Sequence, residues 1–300
     1  MKTDVYTPAL GRSTQSLARD VLGLFKLRIG FMIMLTALAG MVVTPGATLS
    51  PWKVLVLAIT VFASSASAGA FNQYYECESD RLMARTRGRA FVTGALPHHP
   101  AWLVLIALLL VSAVAAAAWW LNPVSAGFVF LGAFFYAVVY TVWLKRRSAW
   151  NIVVGGLAGS FAVLAGAAAV DPTPGPLPWL LAAVLFLWTP PHFWSLAIAN
   201  EAEYAAAGVP MLPVVVGVPR AATIVLWSTV ALALTALVPI AFGADWVYLT
   251  GALAGGGYFV YKAWQLERSP SRKTAMGAFF ASLVQLSLLL MAATLDSLLR

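Results

Sequence analysis

AWLVLIALLLVSAVAAAAWWLNPVSAGFVFLGAFFYAVVYTVWL, residues 101–144, decides the fold. It carries no Asp, Glu, Lys, Arg or His, and only Asn122-Pro123 interrupts it. Each half is about as long as the roughly 20 residues a helix needs to cross the hydrocarbon core. Transmembrane strands would be half that length and alternate in polarity. Two uncharged helices joined by a tight Asn-Pro turn are therefore expected.

The rest of the chain repeats the pattern. Of 300 residues, 61% are hydrophobic and 10% charged, with mean hydropathy +0.84. Average soluble domains are about 25% charged, so a soluble globular domain is excluded, as is disorder. One cysteine, Cys77, excludes a disulfide scaffold. Nine spans are read at 29–43, 53–71, 101–121, 124–144, 150–170, 178–199, 221–242, 246–265 and 276–295. The expected fold is an all-α polytopic membrane protein, with a cytoplasmic segment 1–28 followed by one domain over 29–300. The leader mixes acids with its basic residues, unlike a transit peptide. A bacterial plasma membrane is the expected location.

Charge placement orients the spans. With the N-terminus inside, 17 of the 19 Lys and Arg residues fall in cytoplasmic segments, and only Lys53 and Arg300 fall outside. Those segments also hold eight of the eleven acids, so the bias belongs to Lys and Arg rather than to net charge. The net charge of +8 is accordingly read as topology, not nucleic-acid binding. Three inside loops draw attention: about 72–100, 145–151 and 200–220.

In the first loop, Asn72, Glu76 and Asp80 are spaced i, i+4, i+8 and share one stripe if the helix continues. Carboxylates four apart repel, and a helix C-terminus adds partial negative charge. A divalent cation would relieve both. Oxygen-only donors suit Mg²⁺, and the following Arg81, Arg85, Arg87 and Arg89 suit a polyphosphate. Glu78 lies on a different face. The competing reading is an ordinary loop whose acids pair with their own arginines. Cys77 has no evident base partner. In the third span-linking loop, Lys145, Arg146 and Arg147 anchor topology or face a second phosphate. His98 and His99 are expected to be solvated.

The span at 178–199 contains Trp188-Thr189-Pro190-Pro191-His192-Phe193-Trp194. Two prolines are expected to kink or break it, with His192 just beyond. An intramembrane histidine is a helix-packing group, an acid–base group or an axial iron ligand. Glu201 and Glu203 follow, and then Gly208-Val209-Pro210-Met211-Leu212-Pro213.

Four blocks, Asn72–Gly94, Tyr140–Gly156, Leu185–Ala199 and Ala207–Gly217, resemble the UbiA superfamily of intramembrane prenyltransferases. The Pro-Pro-His-Phe-Trp and Gly-Val-Pro-Met-Leu-Pro blocks resemble its haem-modifying branch. The resemblance implies about nine helices around a central cavity, with the N-terminus cytoplasmic, the C-terminus outside and an active site facing the cytoplasm. It implies Mg²⁺-dependent transfer of farnesyl from farnesyl diphosphate to a vinyl group of haem b, giving haem O. On matching positions, Asn72, Glu76 and Asp80 hold metal, with Glu78 and Glu203 as further candidates. Arg85, Arg89, Lys145 and Arg146 hold diphosphate. His192, with Trp188 and Trp194, stands on the haem side. Haem A synthase or terminal-oxidase assembly proteins are the implied protein partners. The branch carries Asp where Glu78 stands and Pro where Ala90 stands. Alternatives are a prenyltransferase acting on an aromatic quinone precursor, a secondary transporter, and a non-catalytic haem assembly factor.

Overall fold

A computed structural model describes residues 14–299, and among them every regular element is helical. Lys2, Arg12 and Arg300, used in the charge count, lie outside the described residues. Helix α1 (Thr14–Leu24) meets α2 (Leu27–Val42) at a 41° bend. Then follow α3 (Pro51–Tyr75), the short α4 (Cys77–Asp80) and α5 (Ala101–Trp120). After Asn122, α6 (Pro123–Phe134) continues as a π-helix over Phe135–Leu144. A second broken rod comprises α7 (Asn151–Gly155) and α8 (Leu157–Val170). The long α9 (Pro176–Ala199) leads to the short α10 (Glu201–Ala206) and α11 (Leu212–Val216). The chain closes with α12 (Val218–Thr235), a 3₁₀ turn at Val238–Phe242, α13 (Trp246–Arg268) and α14 (Arg272–Leu299).

All nine apolar ranges of the sequence fall on helices. Among the described residues, seven helical rods are long and apolar enough to cross a membrane, or eight with the bent α1–α2 pair. The chain is thus a multi-pass membrane protein. Helix α13 is as long as its neighbours, at 23 residues, but more polar, and it packs between α12 and α14. Exposed Trp52, Trp119, Trp120, Trp179 and Trp246 sit at the ends of α3, α5, α9 and α13 where an aromatic belt belongs.

The packing forms two groups. Helices α2, α3, α5, α6 and α8 make one, and α9, α12, α13 and α14 the other, joined along α8–α9 and α2–α14. In a bilayer, helices associate by close packing rather than by escape from water, so small residues mark the contacts. The α2–α8 crossing shows this. A Cβ on Gly40 would lie 2.2 Å from the Val163 carbonyl oxygen, and one on Gly166 1.8 Å from that of Ala37. Two backbones touch there because neither residue has a side chain.

Helix α9 corrects one expectation. It runs unbroken through Pro190 and Pro191, so His192 lies within a helix and not beyond a break. Prolines remove donors without forcing an end when neighbouring helices hold the rod, and α9 is flanked by α8, α12 and α14.

Candidate functional site

The oxygen stripe forms as spaced. Helix α3 ends at Tyr75, yet Glu76 N still donates to Asn72 O (3.0 Å) and Asp80 N to Glu76 O (2.9 Å). The helical register therefore survives the junction with α4. Asn72, Glu76 and Asp80 are buried, at 2%, 2% and 3% exposure. Glu78 points away, its side chain 79% exposed and 3.4 Å from Arg81.

Each buried oxygen group faces its own cation. Lys26 Nζ donates to Asn72 Oδ1 at 2.6 Å. Lys145 Nζ donates to Glu76 Oε1 at 2.5 Å. Arg89 Nη1 pairs with Asp80 Oδ2. Burying a carboxylate without a partner would cost several kcal/mol, which is why these acids occur inside as pairs. Backbone geometry supports the arrangement. Thr86 Oγ1 donates to Asp80 O at 3.1 Å, folding residues 81–89 back so that Arg89 reaches the stripe.

The π-helix supplies the facing wall. Bonding from i to i+5, as in Lys145 N to Tyr140 O (2.9 Å), turns Tyr136, Thr141 and Lys145 to the same side. Asn72 Nδ2 donates to Thr141 Oγ1 at 3.0 Å, and Lys26 Nζ also donates to Tyr136 Oη at 3.0 Å. The Tyr136 and Tyr140 rings stack at 5.8 Å, with Lys26 and Lys145 within 5.6 and 5.8 Å of their respective centroids.

Lys26, Tyr136, Tyr140 and Thr141 escape the sequence reading. Lys26 counts there as one topology cation of the leader, yet its side chain enters the bundle from a left-handed backbone position (φ 49°, ψ 46°). A charge lodged between the apolar runs of a single broken span is the signal that could have found it. Arg146 is exposed at the surface beside Lys145. Burial pushes the Tyr204 hydroxyl above its ordinary pKa, while the nearby Arg85 guanidinium pulls it down.

Glu203 forms no ion pair among the described residues. One of its oxygens, Oε2, is sealed and lacks a partner, and the residue lines a cavity of about 500 Å³ with Glu201, Asn200 and Arg272. No cluster of three His, Cys, Asp or Glu side chains gathers at metal distance among the described residues. Mg²⁺ needs no such cluster, since one or two carboxylates plus phosphate and water suffice. The Asn72, Glu76 and Asp80 oxygens fit that requirement.

On the α9 side, His192 is buried and stacks between Trp188 (4.2 Å, 19°) and Phe279 (4.5 Å, 27°). Trp194 is buried on the same helix, with its indole N–H unpaired. His98 is exposed but not free in solvent. Its ring stacks on Tyr74 at 4.0 Å, and Nε2 lies 2.9 Å from the Tyr74 carbonyl oxygen. Cys77 is buried and unpaired, with its thiol pKa pushed up by that burial.

The chain is similar to known proteins in sequence and in fold. The chain is 55% identical over 275 residues to protoheme IX farnesyltransferase 2 of Paramagnetospirillum magneticum, covering 92% of this chain and 96% of the relative. It is 39% identical over 299 residues to protoheme IX farnesyltransferase of Shewanella denitrificans, covering 99% and 98%. Among solved structures, a digeranylgeranylglyceryl phosphate synthase shares the fold with TM-score 0.78 at 16% identity, over 95% of this chain and 99% of that one. A UbiA homolog from Archaeoglobus fulgidus bound to GPP and Mg²⁺ does so with TM-score 0.68 at 13% identity, over 90% and 99%. The UbiA prenyltransferase family model matches residues 33–284, and the chain belongs to that family.

Proposed function

We propose that this chain transfers the farnesyl group of farnesyl diphosphate to a vinyl group of haem b, giving haem O and diphosphate. The observation that carries the reading is the buried oxygen stripe with its ring of cations, in a chain 55% identical to a protein named protoheme IX farnesyltransferase 2. Nine spans over 29–300 around a central cavity are part of the same reading. So are a cytoplasmic N-terminus, an outside C-terminus, a bacterial inner membrane and an active site on the cytoplasmic side. Haem A synthase or terminal-oxidase assembly proteins would receive the product.

The residues divide the work. Arg85, Arg89, Lys145 and Arg146 bind the diphosphate oxygens, and Lys26, buried beside Asn72, joins them. Mg²⁺, held by the oxygens of Asn72, Glu76 and Asp80 with Glu203 as an outer candidate, would offset the charge of the leaving group. As the allylic C–O bond breaks, negative charge grows on the bridging oxygen. The preorganised cations favour that change over the ground state. The Tyr136 and Tyr140 rings, stacked beside Lys26 and Lys145, would shelter an allylic cation from water. The terminal vinyl carbon of haem b then bonds to farnesyl C1. The adjacent carbon becomes cationic and takes water, releasing one proton. His192, Trp188 and Trp194 form the aromatic side that would receive the macrocycle.

An acceptor comparison tests this. Purified protein with Mg²⁺ and farnesyl diphosphate is given haem b in one vessel and a hydroxybenzoate in another, and products are separated by chromatography. Farnesylated haem and unchanged hydroxybenzoate are expected. Prenylated hydroxybenzoate with unchanged haem would overturn the acceptor assignment.

A further inference from the structure

Ser282 on α14 is gripped twice by α9. Trp188 Nε1 donates to its carbonyl oxygen at 2.9 Å, and its hydroxyl lies 2.6 Å from His192 Nδ1. The same hydroxyl oxygen lies 2.6 Å from the Phe279 carbonyl oxygen. Two oxygens that close repel unless a proton lies between them, so the hydroxyl donates to Phe279 O. A hydroxyl has only one proton. Its contact with His192 therefore runs the other way, with Nδ1–H donating to Oγ. A neutral imidazole carries one N–H, which leaves Nε2 with its lone pair. Nε2 has no hydrogen-bond partner, yet it is not among the sealed polar atoms of the described residues. Trp188 and Phe279 cover both ring faces. Phe193 meets the imidazole edge to face at 4.8 Å, and Nε2 is the one ring nitrogen without a hydrogen bond.

We propose that Ser282 is a positioning residue that fixes His192 as the Nδ1–H tautomer, so that Nε2 offers its lone pair to the iron of haem b. The inference rests on haem b being the acceptor. An imidazole whose other nitrogen donates to an oxygen is oriented and made a stronger ligand. Axial ligation at Nε2 would hold the flat substrate by its centre and leave its vinyl edge free for the farnesyl group.

The test uses the full chain, labelled with ¹⁵N-histidine, in lipid nanodiscs. There are three histidines, so the spectrum is sparse, and His192→Ala identifies the signal. The wild type should show a protonated Nδ1 and a bare Nε2 at His192. Ser282→Ala should move the proton to Nε2 or mix the two forms, and Ser282→Thr should restore the wild-type pattern. Resonance Raman of ferrous haem b added to the same samples should show an iron–histidine stretch that His192→Ala removes. Haem affinity should fall about tenfold in Ser282→Ala and recover in Ser282→Thr. An Nε2–H tautomer in the wild type, or a haem spectrum indifferent to His192→Ala, would overturn the inference. Should haem be farnesylated without any histidine signature, this inference alone falls. Should haem neither bind nor react, the proposed function falls with it.

Discussion

Lys26 Nζ lies 2.6 Å from Asn72 Oδ1, and it reaches that oxygen from the left-handed residue that breaks the first span. A non-glycine residue in that region costs about 1–2 kcal/mol. The buried contacts to Asn72 and Tyr136 offset the strain, so the bend and the site are one feature. Replacing Lys26 with Met should cut turnover by at least about 100-fold, because it removes a charge-assisted contact from a dry site. It should also lower thermal stability by about 1–3 kcal/mol, the usual cost of leaving buried polar groups unpaired. Steady-state turnover and a melting curve check both. Wild-type turnover in a folded Lys26→Met protein would remove Lys26 from the site.

The carboxylates sort by burial. Glu76→Gln and Asp80→Asn each remove a charge from the buried stripe and leave Lys145 or Arg89 facing a neutral group. Turnover should drop at least about 1,000-fold, in line with the loss of a preorganised charge contact. Glu78→Gln should stay within about twofold, since an exposed pair with Arg81 contributes little. Parallel assays of the three variants decide it. Equal losses in all three would show that the stripe has no special standing.

Lys145 and Glu76 make a matched pair whose loss should be non-additive. Each single replacement, Lys145→Gln or Glu76→Gln, leaves one buried charge alone, while the double variant leaves none. The double variant should therefore be more stable than the sum of the singles implies, by about 0.5–3 kcal/mol. Denaturation of the four proteins in detergent measures the coupling. Simple additivity would contradict the pairing.

The α2–α8 crossing should tolerate no side chain. Gly166→Val would drive a Cβ to within 1.8 Å of the Ala37 carbonyl oxygen, and backbone cannot yield as a flexible side chain does. Gly159, with nothing within 4 Å of an added Cβ, is the control on the same helix. Gly166→Val should abolish recovery of folded protein, whereas Gly159→Ala should leave it unchanged. Yield after gel filtration reads the difference.

The sequence shows the stripe with Arg89 and Lys145 and hides Lys26, Tyr136 and Thr141, for physical reasons. Asn72, Glu76 and Asp80 are legible because helical spacing alone puts them on one face. Helix α9 through Pro190 and Pro191 misleads because neighbouring helices override a local breaker. Tyr136, Thr141 and Lys145 align only once the helix widens to i→i+5 bonding, which no residue pattern announces. Lys26 hides because its turn uses a left-handed lysine where a glycine would have signalled one. Ser282 meets His192 across 90 residues of chain, beyond any local reading.

Topology can be checked on the same protein. Cys77 is the only cysteine and is buried, so a Cys77→Ser background is silent to thiol reagents. In cells, an impermeant maleimide should label Thr173→Cys from outside and spare Arg147→Cys. The reverse pattern would invert the orientation.

The most direct measurement is mass spectrometry of haem extracted after purified protein is incubated with haem b and farnesyl diphosphate, with Mg²⁺ or with EDTA. The account requires haem that has gained a farnesyl group and a hydroxyl in the Mg²⁺ sample and unmodified haem in the EDTA sample. Unmodified haem and intact farnesyl diphosphate in both, from folded protein, would contradict it.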